Sequence, residues 1–170
     1  MPSWLGGCAR LPRVSSGAGA PECEGLVTRS KYTGQKIRVV TAEIRRDGRY
    51  LITQRQPHAT LPLLWEFPGG KVAENEDSAG ALQRVMRDRL DVRCDVGELV
   101  MEVVHEYEHY SVDMRVYRCT IPDDEELRAA RVHAFRWVAP SDFAAYTFPG
   151  ADEATIAKLL ELDEGPLDVH

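Results

Sequence analysis

The sequence predicts an α+β domain, an α/β/α sandwich with a mixed β-sheet flanked by helices. Three observations carry this prediction. Segments rich in β-branched residues outnumber helical ones, one apolar stripe of helical period lies mid-chain, and an amphipathic segment lies near the end. The ordered domain is placed over residues 35–163, with a C-terminal tail over 164–170. Residues 1–34 are rich in Gly, Ser, Pro and Ala with no sustained period, and read as a flexible or disordered N-terminal arm.

The first strand is KIRVVTAEIRR, Lys36 to Arg46, which alternates in part. Asp47-Gly48 supplies a hairpin turn, and YLITQR returns as the second strand. QPHATLPL reads as a loop and LWEF as a short strand, which Pro68-Gly69-Gly70 breaks with a turn. From about Asp77 to Leu90 the spacing predicts a helix, with Ala79, Leu82, Met86 and Leu90 near one face. GELVMEVVHEYEHY and SVDMRVYRCTI follow as long strands, and HAFRWVA as another. PSDFAAY reads as a short helix with Ser141 as its cap, and ADEATIAKLLEL as a final amphipathic helix.

A chain of 170 residues with 44% hydrophobic content suits one soluble domain with a proper core. Its net charge of -6 argues against general nucleic-acid binding but leaves room for a local basic pocket holding a small anion. Cys8, Cys23, Cys94 and Cys119 form no CxxC pair, so neither a zinc site nor a disulfide framework is indicated, and a cytoplasmic location is expected. No apolar run is long enough for a membrane span. Leu5-Gly6-Gly7-Cys8 has the look of a lipoprotein cleavage box, without the charged and apolar stretches that precede one. His105 and His109 share one face if they lie on one strand, but no third ligand accompanies them, and with His133 they read as ordinary residues.

The segment from Leu64 to Val92, LWEFPGGKVAENEDSAGALQRVMRDRLDV, carries a long fixed spacing. Gly70 is followed after five residues by Glu76, and Glu76 after seven more by Arg84. With the approach LITQR and the ending ADEATIAKLL, this resembles the Nudix hydrolases, particularly the MutT-type and CTP-type nucleotide pyrophosphohydrolases. The likeness spans roughly Lys36 to Leu162. It implies the Nudix fold and a site that splits nucleoside triphosphates with Mg²⁺, which takes oxygen ligands in near-octahedral geometry. The family signature, G-x5-E-x7-R-E-U-x-E-E-x-G-U with U apolar, puts three carboxylates on one helix face. Here those positions hold Val85, Asp88 and Arg89, and Asp91 stands at the later glycine.

The resemblance implies one further acid, six residues before the tryptophan of the late strand. Counting back from Trp137 gives Arg131. A guanidinium has donors only, so it ligates no metal, but it binds phosphate in a planar fork. Arg89 and Arg131 are therefore expected to bind phosphate, with no metal cofactor and no confident catalytic residue among Gly70, Glu76, Arg84, Val85, Asp88 and Arg89. Glu76 and Arg84 read as a bracing salt bridge. Arg55, Phe67 and Asp152 match positions that bind the base in MutT-type relatives, with Phe67 as a stacking ring and Asp152 as an acceptor.

Three functions stay open on these residues. One is a degenerate Nudix protein that binds a nucleotide or related phosphate with little hydrolysis, as a sensor or regulator. The second is a working Mg²⁺-dependent pyrophosphohydrolase of the 8-oxo-dGTP or CTP type. The third is a protein-interaction module with a vestigial cleft.

Overall fold

The computed structural model of the chain describes residues 34–163. The arm read over 1–34 (apart from Gly34), the tail over 164–170, and Cys8 and Cys23 lie outside the described residues. The chain runs β1 (Gln35–Arg46), β2 (Arg49–Gln54), β3 (Trp65–Glu66), β4 (Gly69–Lys71), α1 (Ser78–Leu90), β5 (Asp95–Glu106), β6 (Tyr110–Thr120) and β7 (Ala134–Val138). A 3₁₀ turn over Pro140–Ala145 and α2 (Gly150–Asp163) complete it.

The sheet is mixed, in the order β3-β2-β1-β6-β5, with β4 also paired to β1 and β7 to β2. Strand β1 is parallel to β6 from Gln35↔Tyr110 to Ile44↔Cys119. On its other side it pairs antiparallel with β4 at Val39–Thr41 and with β2 at Arg45–Arg46. Residues Val40 to Ile44 are all buried, so both faces of β1 are covered and its apolar alternation is only partial. Val40, Ala42 and Ile44 pack with Leu82, Met86 and Leu90 of α1. The opposite face of β1 and β6 carries Val39, Val112 and Met114, which pack with Ala151 of α2. This face becomes the floor of the cleft described below. No helix among the described residues is long and apolar enough to cross a membrane.

The β1–β2 turn has Asp47 at φ 51° and Gly48 at φ 72°, the paired positive angles of a type I′ hairpin that Asp-Gly favours. Asp77 caps α1, its Oδ1 accepting from Gly80 N at 2.6 Å. Asp91 closes the helix in the left-handed region, with its N–H bonded to Arg87 O at 3.1 Å. Asp tolerates this conformation better than most side chains, which explains how it stands at the glycine position.

Four expectations need correction. Gly69–Gly70 does not form a turn; it pairs with β1 as β4. Ala79 is exposed, and Ala81 and Val85 join the core instead. Ser141 caps nothing: Ala139 precedes a 3₁₀ turn opened by Pro140, whose missing N–H suits that first position. The strand expected to reach Tyr110 stops at Glu106, because Tyr107 N bonds back to Tyr110 O at 2.8 Å and closes a hairpin. His109 therefore sits in that turn, away from His105 on β5.

Replacing Asp77 with alanine should cost about 1 kcal/mol, the usual worth of a side-chain N-cap. A lower urea midpoint with an unchanged slope would show it. An unchanged midpoint would mean that solvent caps the helix equally well.

Candidate functional site

An open cleft of about 880 Å³ lies between the β1–β6 face, the first turn of α2, and the edge of α1 nearest β4. Arg55, Glu66, Phe67, Gly70, Arg84 and Val85 line it, as do Asp88, Arg89, Arg131 and Asp152. The fold thus brings nearly all the residues expected from sequence to one cavity.

The frame of the cleft is braced by hydrogen bonds. Arg84 grips Glu76 with two bonds, Nε to Oε1 and Nη2 to Oε2, both 2.8 Å, and Nη2 also reaches Lys71 O at 3.0 Å. Glu76 Oε2 also accepts from Ala73 N at 3.0 Å. The Arg84 guanidinium, then the Ala73 N–H, hold the Glu76 carboxyl at about 2. This pair ties the loop after β4 to α1. Gly70 lets the helix come close, since a Cβ there would lie 2.9 Å from Val85 Cγ2.

Sequence reasoning did not single out Glu66, which organises the centre of the site. Its carboxylate accepts from Arg55 Nε at 2.7 Å and from Arg89 Nη1 at 2.6 Å. The Glu66 side chain is only 10% exposed, so its charge depends on both partners. The signal in the sequence is an acid inside WEF, a short strand otherwise apolar, where burial demands a counter-charge. Arg89 is therefore not the free phosphate fork expected from sequence, since one of its nitrogens already serves Glu66. Arg55 also donates Nη1 to Thr60 O at 2.7 Å, so it anchors the β2–β3 loop as well as lining the cleft.

Arg131 is placed by the end of α1. Ala130 N and Arg131 N donate to Arg89 O at 3.0 and 3.1 Å, and Arg128 N donates to Leu90 O at 2.9 Å. The loop before β7 thereby satisfies carbonyls that the helix end leaves open. It also sets Arg131 beside Arg89. The Arg131 side chain is exposed and takes part in none of the ion pairs among the described residues.

Asp152 is buried in the first turn of α2, its Oδ1 accepting from Phe67 N at 3.2 Å. Burial, reinforced by the Glu66 charge, pushes its carboxyl from 3.8 up to about 7, against the pull of the Phe67 N–H and Arg55. Near neutral pH it is present both as an acceptor and as a donor. Phe67 differs from its expected role. Its ring is 2% exposed, surrounded by Tyr50, Phe143 and Phe148 at centroid distances of 6.1, 6.0 and 6.3 Å. Those neighbours hold the ring in the core, so no open face is left for stacking. Phe67 serves the site through its backbone N–H.

For a divalent metal the signature's three acid positions offer one carboxylate, Asp88. Val85 is apolar and buried, Arg89 is bonded to Glu66, and Asp88 is an exposed acid on the helix. Among the described residues no three His, Cys, Asp or Glu side chains gather as a metal-holding group.

The family model described as "NUDIX domain" matches residues 39–158. The chain belongs to the Nudix family. It is 35% identical over 117 residues to the CTP pyrophosphohydrolase of Escherichia coli (strain K12), covering 68% of this chain and 85% of that protein. The solution structure of the E. coli ORF135 protein superposes with a TM-score of 0.67 at 31% identity, covering 79% of this chain and 96% of that one. The MutT protein from Methanosarcina mazei Go1 shares the fold at a TM-score of 0.68 and 20% identity, covering 78% and 98%. In this Nudix chain the Gly70–Glu76–Arg84 frame of the signature is structurally intact. Its three carboxylate positions are occupied by one buried apolar residue, one exposed acid and one paired arginine.

The raised Asp152 carboxyl has a consequence for stability. A folded state that keeps its proton longer than the unfolded chain loses stability as pH rises, here from 3.8 to about 7, and the loss is complete above that. Asp152→Asn should remove this slope and leave the variant more stable than the parent above neutrality. Urea midpoints for both proteins across that range test it, and parallel pH curves would show that Asp152 is not the responsible group.

Proposed function

We propose that the cleft binds a nucleotide, or a related phosphate compound, with little metal-dependent hydrolysis, and that the protein acts as a sensor or regulator. The observation that carries this reading is Arg89, a guanidinium held at 2.6 Å from Glu66 where the signature calls for a carboxylate. Arg131 adjoins it through the Arg89 carbonyl. Two positive side chains take over the charge that a metal supplies in a metal-dependent site, while offering no Lewis acid and no activated water.

Arg55, Glu66 and Arg89 together carry a net charge of +1 (two guanidiniums less one carboxylate), and Arg131 adds another. An incoming polyphosphate meets the remaining donors of Arg89 and the whole fork of Arg131 in charge-assisted bonds. At the other end Asp152 offers hydrogen bonds to the edge of a base. Because Glu66 competes for the same arginine, it weakens phosphate binding.

A second reading, an active Mg²⁺-dependent pyrophosphohydrolase of the CTP or 8-oxo-dGTP type, has its own support. The E. coli relative at 35% identity is named a CTP pyrophosphohydrolase, and the Glu76–Arg84 brace is preserved. In this reading the ligands come from acids outside the signature positions.

Turnover separates the two readings. Pyrophosphate release from CTP and 8-oxo-dGTP with Mg²⁺ or Mn²⁺ should stay well below ~1 s⁻¹, the lower end of the usual enzyme range. A rate at or above that value overturns the binding reading. Triphosphate binding, followed calorimetrically, should survive EDTA and weaken with salt. Arg131→Ala and Arg89→Ala should each reduce it, whereas Glu66→Gln should tighten it by removing the internal competitor. Binding that requires Mg²⁺, or arginine variants that bind as the parent does, would favour the hydrolase. The Val85→Glu, Arg89→Glu, Arg131→Glu triple variant should gain metal affinity if the signature positions are correctly assigned.

A further inference from the structure

We propose that Tyr107 and Tyr110, at the hairpin joining β5 to β6, form the stacking platform for the planar ring of the ligand. This rests on the nucleotide-binding reading and deepens it. With the Phe67 ring enclosed in the core, the site needs another flat apolar surface near Asp152. The two tyrosines supply one. Both line the cleft and both are only half-buried.

Their rings stack at a centroid distance of 4.7 Å and an interplanar angle of 23°. The backbone bond from Tyr107 N to Tyr110 O, 2.8 Å, holds the pair in register. His105 meets the Tyr107 ring edge-on at 4.6 Å and 65°. The Tyr107 hydroxyl accepts from Ala151 N at 3.4 Å, which brings the phenol to the residue adjoining Asp152. Burial raises this hydroxyl, so it stays a neutral phenol at physiological pH.

Two consequences follow from that geometry. The platform is ordered before the ligand arrives, so little side-chain freedom is lost on binding. It also stands beside a carboxyl that reads N–H groups or acceptors on a ring edge, while Arg89 and Arg131 line the same cleft for the phosphate end. The cleft therefore combines a stacking face, an edge reader and an anion site. That combination suits a phosphorylated compound bearing a flat heteroaromatic ring, and it does not suit a bare polyphosphate.

The test is calorimetry on the full chain in EDTA, with CTP, GTP and inorganic triphosphate as probes. Tyr107→Leu and Tyr110→Leu should weaken nucleotide binding by roughly 5- to 150-fold, the span expected from base stacking on an aromatic ring. Inorganic triphosphate should bind as it does to the parent, and Tyr110→Phe should retain nucleotide affinity. In the parent protein, the ring protons of both tyrosines should shift on adding nucleotide and stay put on adding inorganic triphosphate. This second readout needs no variant to fold. Leucine variants that bind nucleotide normally, or tyrosine signals that stay still on nucleotide addition, overturn the platform and leave the phosphate site standing. A parent that binds inorganic triphosphate as tightly as nucleotide has the same meaning. A parent that binds neither probe removes both proposals.

Discussion

Strand β1 is the constraint on which the rest of the molecule depends. It is hydrogen-bonded to β6 on one side and to β4 and then β2 on the other, and five consecutive residues, Val40 to Ile44, are buried. Because side chains alternate across a strand, one face of β1 packs under α1 and the other becomes the cleft floor. The switch from β4 to β2 along its edge is what places the α1 edge, Glu66 and the α2 turn around one cavity. A polar residue survives even here. Glu43 is buried at 1% exposure, with Arg118 Nε 3.5 Å from its Oε2.

Within that cavity a single carboxylate, Glu66, holds two arginines. Glu66 is nearly enclosed, and removing either guanidinium would leave its charge under-compensated, which explains why the two arginines are held so closely. The same arrangement makes the site electrostatically mixed. Glu66 draws Arg55 and Arg89 inward and its negative charge helps keep the buried Asp152 protonated. Glu66 thus touches Arg89 by a hydrogen bond and Asp152 through its charge.

Along α1 the residues that build the fold are distinct from those at the acid positions of the Nudix signature. The parts of the signature that build the fold are kept: Gly70 against Val85, the Glu76–Arg84 brace, and the left-handed cap, now Asp91. These serve helix packing and loop anchoring whether or not a metal is held. At two of the signature's acid positions the residues present are accommodated by the fold. Val85 is apolar at a buried site, and Arg89 finds an acid already present on β3.

The order of the elements apart from β4, the Asp47-Gly48 turn, the Asp77 start of α1 and most of the candidate residues around the cleft were legible in the sequence. The turn and the helix start rest on local rules, such as turn angles, capping and periodicity, whereas the cleft residues were placed by the resemblance to the Nudix hydrolases. What the sequence left open depends on contacts between distant segments. That Gly69–Gly70 becomes a strand follows from the edge that β1 offers it. That Arg89 is paired follows from Glu66, 23 residues away along the chain. The Phe67 ring lies in the core because Tyr50, Phe143 and Phe148 converge on it from three other segments. Tyr107 and Tyr110 form a pair only because the hairpin closes earlier than alternation suggests. Alternation and spacing say which face or turn a residue occupies. Whether its side chain meets a partner, a core or open cleft is decided by what the tertiary structure brings opposite it.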